Sequence, residues 1–555
     1  MVLGAQSMSN RLVLCGDGAT VQLKDEGCHH FIYCFGFASI QGENYTVIND
    51  PAKLNQVGDA LRQEFADWVF SFNKSFLSNE LTLENLSLFF LTDLSAKRGE
   101  VFDTFDRICG LVMIKEVFRT KPLDRITLVN LDLPTYMAVR SIFPELPISG
   151  LWKTNKFQNV KRRASDLMYL ARFAVISVRN IFSSRSEEKR RKISNGDAFH
   201  TFFPSMLSPL GFEEKYGEFA ANGGQFVGSI LSDGMHQSVS IFKYFGLRRS
   251  AHSQGINLVD DFFSLPDLIP AFGALFKIVR LGKSAELWGT EFHGINARGF
   301  LLQEMLPSSS RIIRLCALRL AYRRFFIFNQ WIKRVFYYPA EYPYGRMIAY
   351  ELKVSQRKIK SVGFQMGPVS PRRLEQCLGV DEIATGSVTV EHLVGPDQFY
   401  VEDAYSESVY LAAGYTKTVR MLRLFRCQYL ESLKKCDNSA VAVLALGLHD
   451  TPGILLSPQI RVAKEQHPEL SVKIHPRSGW RKKFHIECQK RNIGVIEEPI
   501  SQILPLVAKL FATYSSVALE AQMLGIPVEI IDIPGRINTL CIDERNNGAE
   551  QESDN

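Results

Sequence analysis

The stretch AVAVLALGLHDTPG (Ala440–Gly453) decides the fold, together with SVKIHPRSGW (Ser471–Trp480), KLFATYSSVALEAQMLG (Lys509–Gly525) and PVEIID (Pro527–Asp532). Short, β-branched apolar runs alternate here with segments whose apolar residues recur at helical spacing. That alternation predicts a parallel, doubly wound sheet. Working outward, SVGFQ (Ser361–Gln365), HLVG (His392–Gly395) and NIGVI (Asn492–Ile496) read as further strands, and TVRMLRLFRCQYLESLKK (Thr418–Lys435) as a helix. Residues 361–545 are therefore expected to form one domain, with a disordered tail at 546–555.

Upstream, residues 195–360 read as a second α/β unit containing GQFVGSILSDGMH (Gly224–His236) and the helical LPDLIPAFGALFKIV (Leu265–Val279). Residues 1–150 read as a third, from RLVLC (Arg11–Cys15), FIYCF (Phe31–Phe35), SLFFL (Ser87–Leu91) and RITLVN (Arg125–Asn130). Between these two units, 151–194 is expected to be a basic amphipathic helical linker. DLMYLARFAVISVRNIF (Asp166–Phe182) is apolar around most of a helix, and Lys and Arg crowd both flanks. A second basic, aromatic stretch runs from Arg311 to Arg334 without an acid. Both stretches could serve an anionic membrane surface, or simply bridge the domains.

Length and composition agree with several globular domains. The chain has 555 residues, 46% hydrophobic and 22% charged, which excludes disordered, collagen-like and coiled-coil classes. A net charge of +7 is too small for its length to signal nucleic-acid binding, and none is expected. Ten scattered cysteines without a CxxC pair fit a reducing compartment and no zinc ribbon. Cys28, His29, His30 and Cys34 in CHHFIYC read as a strand with ordinary thiols rather than a metal site. No signal peptide and no spanning helix are predicted, so the expected location is the cytoplasm, or the cytoplasmic face of a membrane.

Familiar signatures are missing. VRLGKSAE (Val279–Glu286) lacks the first glycine of a Walker A loop, no GxGxxG follows a strand, and there is no DxD triplet or GxSxG elbow. What remains lies at strand ends, where open α/β sheets bind ligands. Gly447 ends one strand and could bring backbone amides close to a phosphate. Pro476 holds His475 extended, so the imidazole could donate to a phosphate oxygen while Arg477 adds charge. Ser515 and Ser516 stand at a strand-to-helix turn, an anion site, and Glu520 one turn in could grip a ribose hydroxyl. Each has a plainer reading: a cap, a turn, a loop His-Pro. It is their recurrence on successive strand ends that argues for a nucleotide.

KIHPRSGW (Lys473–Trp480) followed by ATYSSVALEAQMLGIPVEII (Ala512–Ile531) resembles the donor domain of GT-B glycosyltransferases. More narrowly, it is similar to the His-Pro and Ser-Ser motifs of bacterial sialyltransferase-like and Kdo-transferase-like enzymes. YYPAEYPYGRMIAYELKVSQRKIKSVGFQMGPVS (Tyr337–Ser370) resembles the hinge side of surface-polysaccharide biosynthesis proteins. The resemblance implies two Rossmann-type domains, 195–360 on the acceptor side and 361–545 on the donor side, facing a cleft, with 1–150 as an extra unit. It implies that His475, Ser515 and Ser516 hold the donor, beside the Gly447, Pro476, Arg477 and Glu520 already read at the strand ends, with Glu341 in the cleft, where Gln365 is also expected. The base would be Glu341 or Asp233, the latter in LSDGMH.

The implied activity is inverting transfer from a nucleotide sugar, CMP-linked ulosonic acid favoured, to a surface glycan or lipid-linked acceptor, without cofactor or metal. Met366 stands where the relatives carry His. That departure supports the alternative, a non-catalytic GT-B-like component of a polysaccharide pathway.

Overall fold

The computed structural model describes the chain except for 1–8, 25–26, 100, 151–155, 184–195, 222, 232–239, 282–289, 339–340, 356–358, 366, 384–388, 416–417, 421–424, 434–440 and 543–555. Three parallel sheets carry the architecture. The first contains β1 (Ser9–Gly16), β2 (Cys28–Phe35), β3 (Tyr45–Val47), β4 (Arg125–Val129) and β5 (Ile148–Gly150), in the order β3-β2-β1-β4-β5. The middle sheet contains β6 (Asp197–Thr201), β7 (Gln225–Gly228), β8 (Asn257–Leu258), β9 (Arg334–Tyr337), β10 (Lys360–Phe364), β11 (Gln398–Val401) and β12 (Thr418–Arg420). Its order is β8-β7-β6-β9-β10-β11-β12. The last contains β13 (Val441–Ala445), β14 (Ser471–Lys473), β15 (Gly494–Ile496), β16 (Val507–Ala512) and β17 (Val528–Ile530), in the order β15-β14-β13-β16-β17.

Each sheet thus starts in the middle, grows to one side, then reverses. All three have the doubly wound order with a switch point between the first and fourth strands. The central strands are apolar because helices and loops cover both faces: Ala442 through Ala445 are all buried, as are Leu12 through Gly16.

The helices that matter below are α1 (Pro51–Ser78), α2 (Thr104–Val117), α3 (Lys156–Ser183), α4 (Ile241–Ser253), α5 (Leu268–Leu281), α6 (Arg298–Phe328), α7 (Pro343–Val354) and α8 (Val517–Met523). The start of α1 follows from local chemistry. Asp50 accepts the Lys53 amide at 3.0 Å, and Pro51 occupies the first turn. One continuous hydrophobic core joins the first two units, running through Leu12, Phe65, Phe90, Ile313, Phe336 and Tyr350. The last sheet has its own apolar layers, one on each face.

Four expectations need correction. SLFFL (Ser87–Leu91), expected as a strand, is a 3-10 helix from Leu88 to Leu91, capped by the Ser87 hydroxyl. The domain boundary at 360/361 is misplaced, because β10 pairs with β9 in the middle sheet, Val335 opposite Ser361 and Tyr337 opposite Gly363. An apolar strand does not announce its neighbour, so SVGFQ was grouped with the wrong sheet. His392–Gly395 is no strand; Leu393 makes a lone bridge to Ile383. Thr418–Arg420, expected to open a helix, is the edge strand of the middle sheet, and Phe425–Ser432 is a 3-10 helix.

The basic stretch Arg311–Arg334 is also not a surface element. Its first part, to Phe328, forms the second half of α6, where Ile313, Cys316, Ala317 and Ala321 are fully buried, and Arg334 opens β9. Its guanidiniums are met by acids from other segments. Arg311 pairs with Asp93, Arg314 with Asp166, Arg319 and Arg323 with Glu84 and Glu351, Arg324 with Asp267, and Arg334 with Asp197. The charge that looked unopposed in the sequence is neutralised in the fold.

Candidate functional site

A cavity of about 610 Å³ lies between the carboxyl ends of the first and last sheets. One wall is the switch point of the first sheet: Gly16 and Asp17 after β1, Asn130 to Asp132 after β4. The opposite wall is the switch point of the last sheet: Gly447 to Thr451 after β13, and Tyr514 after β16. The first turn of α2 adds Asp103, Asp106 and Arg107. The middle unit adds Arg372 to Glu375, and the strap leaving β17 adds Ile533, Arg536, Ile537 and Thr539. The facing pair is therefore the first and last units, not the middle and last. The unit expected to be an accessory builds half the cleft.

Local rules place these groups. Gly16 is required because a Cβ there would lie 2.2 Å from the Asn130 carbonyl oxygen, where the β4 loop crosses the end of β1. The Asn130 amide donates to the Asp17 carbonyl at 2.6 Å. The Asp17 carboxylate accepts from the Phe37 amide at 3.1 Å and, across the cleft, from the Thr451 hydroxyl at 2.6 Å. Asp450 accepts from the Gly447 amide at 2.6 Å and the Thr513 hydroxyl at 2.5 Å. Burial pushes its carboxyl above the ordinary range, against those two donors.

The charged wall is tightly paired. Arg107 bridges Asp103 at 2.8 Å and Asp132 at 2.9 Å. Arg536, on the strap, bonds Asp106 at 3.0 Å and stands 3.8 Å from Asp103. Burial raises Asp106 to about 6 although Arg536 opposes it. Burial also works against the Asp103 charge, but Arg107 and Arg536 outweigh it and hold that carboxyl below its usual range. Arg372 pairs with Asp59 at 2.8 Å and Arg373 with Glu375 at 3.2 Å. Six carboxylates line the cleft against four guanidiniums and His449, so an incoming anion must displace acids from arginines.

Of the residues singled out in the sequence, Gly447 lines the cavity, but its amide is taken by Asp450 and by Thr513 at 3.2 Å. His475 lies two residues beyond the end of β14, one strand away from the switch point. Its Nδ1 accepts the Arg477 amide at 3.2 Å, and burial, with Arg477 and His449 nearby, lowers the imidazole to about 4. Pro476 and Arg477 are exposed, the guanidinium 5.9 Å from the Phe203 ring of the middle unit. Ser515 is buried, and Ser516 precedes α8 without a side-chain cap bond.

Three expectations fail on geometry. Glu520 is buried and accepts the Tyr429 hydroxyl at 2.5 Å, so it faces the 425–432 segment rather than the cleft. Glu341 is buried under the Arg373–Glu375 wall, bonded to the Tyr410 hydroxyl; burial raises it to about 7. Gln365 is fully buried, its side chain tied to Gly367 at 2.9 Å and to Glu402 at 3.0 Å, which locks the ends of β10 and β11 together. Asp233 and Met366 lie outside the described residues. The residues missed were Asp17, Asp106, Arg107, Arg372 and Arg536. One signal was available: Gly16-Asp17-Gly18 directly follows the strand RLVLC.

No family model matches the chain, and no curated protein matches it. Two solved structures are similar over most of their length. The crystal structure of Acinetobacter baumannii MurG shares 9% identity with a TM-score of 0.29, covering 64% of this chain and 82% of that one. A structure of the wall teichoic acid polymerase TagF with CDPG shares 9% identity with a TM-score of 0.28, covering 68% and 78%. At such values neither likeness bears on what the cleft binds.

Proposed function

We propose that the chain is a metal-independent, inverting glycosyltransferase that moves a sugar from a nucleotide donor to a glycan or lipid-linked acceptor. The observation that carries this reading is the cleft itself: two doubly wound sheets present their switch points to each other around one cavity. Each such point is a ligand crevice, and about 300–1,000 Å³ is the range of small-molecule sites. Facing crevices suit a reaction with two substrates, one held by each sheet.

In this reading the donor nucleotide lies on the last sheet, along Gly447–Thr451, with His475, Arg477, Ser515 and Ser516 at its phosphate end. A CMP-linked ulosonic acid is favoured by the His-Pro and Ser-Ser motifs. Arg536 leaves its acids for the donor phosphate. Asp106, which burial holds at about 6 even beside Arg536, rises further once Arg536 has left it, and is suited to take the acceptor hydroxyl proton near neutral pH. The acceptor oxygen attacks the anomeric carbon opposite the phosphate, the carbon–phosphate oxygen bond breaks, and the configuration inverts. Neither Glu341 nor Glu520 takes part, since each is committed to a tyrosine hydroxyl.

Thermal melts with CMP, UDP and their sugar conjugates test this. A nucleotide at 100 times its dissociation constant adds about 2.7 kcal/mol, and the melting temperature rises accordingly. His475→Ala should abolish the rise. Asp106→Asn should keep it while lowering turnover by about 10²-fold or more, and turnover should survive chelation. If no nucleotide shifts the melt at millimolar concentration, the transferase reading fails. The alternative, a binding component without catalysis, is then preferred. It is favoured by one observation, that the cleft arginines are already paired with protein carboxylates.

A further inference from the structure

Helix α3 has two apolar faces. One is buried: Tyr169, Leu170, Phe173 and Ile176 pack inward, with Phe173 stacked on Phe263 at 4.2 Å and Asp166 bonded to Ser310 of α6 at 2.8 Å. The other is exposed. Leu167 is 59% accessible, Met168 52%, Val175 52% and Ile181 60%, spaced along one side of the helix.

Contacts tie α3 to two further helices that carry exposed apolar residues of their own. Arg179 of α3 lies 4.8 Å from the Phe245 ring of α4, whose Phe242 is 86% accessible. Asn180 of α3 donates to the Asp260 carbonyl at 2.8 Å, on the segment that leads into α5. There Ile269 and Phe276 are 73% and 71% accessible, two turns apart on one stripe with Phe272 between them. Isolated exposed apolar residues need no explanation, but two helices, α3 and α5, that each present such a stripe, with Phe242 of α4 exposed beside α3, do.

Charge identifies the occupant. Within α3, α4 and α5 the sequence holds eleven Lys and Arg and a single acid, Asp166, which is buried against α6. The α3 helix is also preceded by Lys153 and followed by Arg185, Lys189, Arg190, Arg191 and Lys192, against Glu187 and Glu188. A second copy of the chain meeting this face about a two-fold axis would set these bases against themselves. A bilayer with anionic lipid offers apolar depth and the opposite charge together. No described helix is long and apolar enough to cross a membrane, so the contact is with one leaflet.

We infer that α3, α4 and α5 form a docking surface for an anionic membrane, entered by Leu167, Met168, Val175, Ile181, Phe242, Ile269 and Phe276. The inference does not rest on the transferase reading, since lipid binding needs no donor. Flotation of the full chain with phosphatidylcholine vesicles, with and without 30% phosphatidylserine, reads it out directly. Binding should require the anionic lipid. Met168→Glu with Val175→Glu should weaken it on the order of tenfold or more, without changing the melting temperature. Phe242→Ser with Phe276→Ser should do the same from the other helices, and Arg172→Gln with Arg179→Gln should reduce the anionic preference. Equal flotation with both vesicle types would overturn the inference. So would these variants failing to weaken flotation, or abolishing a concentration-dependent dimer seen by sedimentation instead.

Discussion

Glu304 is 5% accessible and sits on α6 beside the cleft, where burial raises its carboxyl to about 8 from an ordinary 4.5. The Thr104 hydroxyl opposes this and the charges of Asp93 and Asp103 add to it. Between these two values the folded carboxyl keeps a proton that the unfolded chain has released. Its contribution to stability is thus fully present below pH 4.5 and is lost as pH rises toward 8. Glu304→Gln removes the titration while keeping the shape. The variant should match the wild type near pH 4.5 and exceed it at pH 8 by roughly 2–4 kcal/mol, measured by denaturant titration. A difference that stays constant with pH would rule this out. At this scale little was legible in advance. Glu304, Asp17 and Asp106 are ordinary acids in the sequence, and only burial and the approach of Arg536 or Thr451 make them distinctive.

Among elements, the strap after β17 has the largest consequence. It leaves the last sheet, lays Gly535 against the end of β2, and places Arg536 between Asp103 and Asp106. Pro534 accepts the Gly36 amide at 2.8 Å, and the Ser370 hydroxyl donates to the Thr539 carbonyl at 2.7 Å, so all three units meet on it. Gly535 has a φ of +70°, and a Cβ there would come within 2.6 Å of the Cys34 carbonyl oxygen. Gly535→Ala should therefore lower stability by about 1–3 kcal/mol in chemical denaturation, through the strained φ and the clash. An unchanged midpoint would show that the strap does not hold the units closed. Helix α6 taught the reverse lesson. Its amphipathic-looking basic pattern resembled α3, yet it lies in the core, because acids distant in sequence, Glu84 and Glu351 among them, arrive to meet its arginines.

Across the whole molecule, the first and middle units share one core, and a buried ion pair crosses between them. Lys97 meets Glu382 at 3.0 Å with side-chain accessibilities of 1% and 0%. Glu382→Gln would leave the ammonium buried without its counter-charge, at a cost of about 3–5 kcal/mol. Because the core is shared, hydrogen exchange should speed up together in β1 (Ser9–Gly16) and β10 (Lys360–Phe364), while β13 (Val441–Ala445) keeps its protection. Loss confined to one of the first two sheets would contradict a common cooperative unit.

The amino-acid pattern by itself determined that this chain builds doubly wound parallel sheets. Short buried strands alternating with helical segments are a local property, read from periodicity and from turns such as Gly447. It also located the helix Asp166–Phe182, whose apolar and basic residues are visible without a fold. Which sheets face each other was decided only by tertiary structure. The reason is physical: β-strand periodicity specifies that a strand is covered, not by what, and the cleft depends on where the strap and the 372–375 segment carry distant side chains. The long-range ion pairs had the same character. Charge is written in the sequence, but whether it meets an acid, a ligand or a membrane depends on contacts hundreds of residues apart.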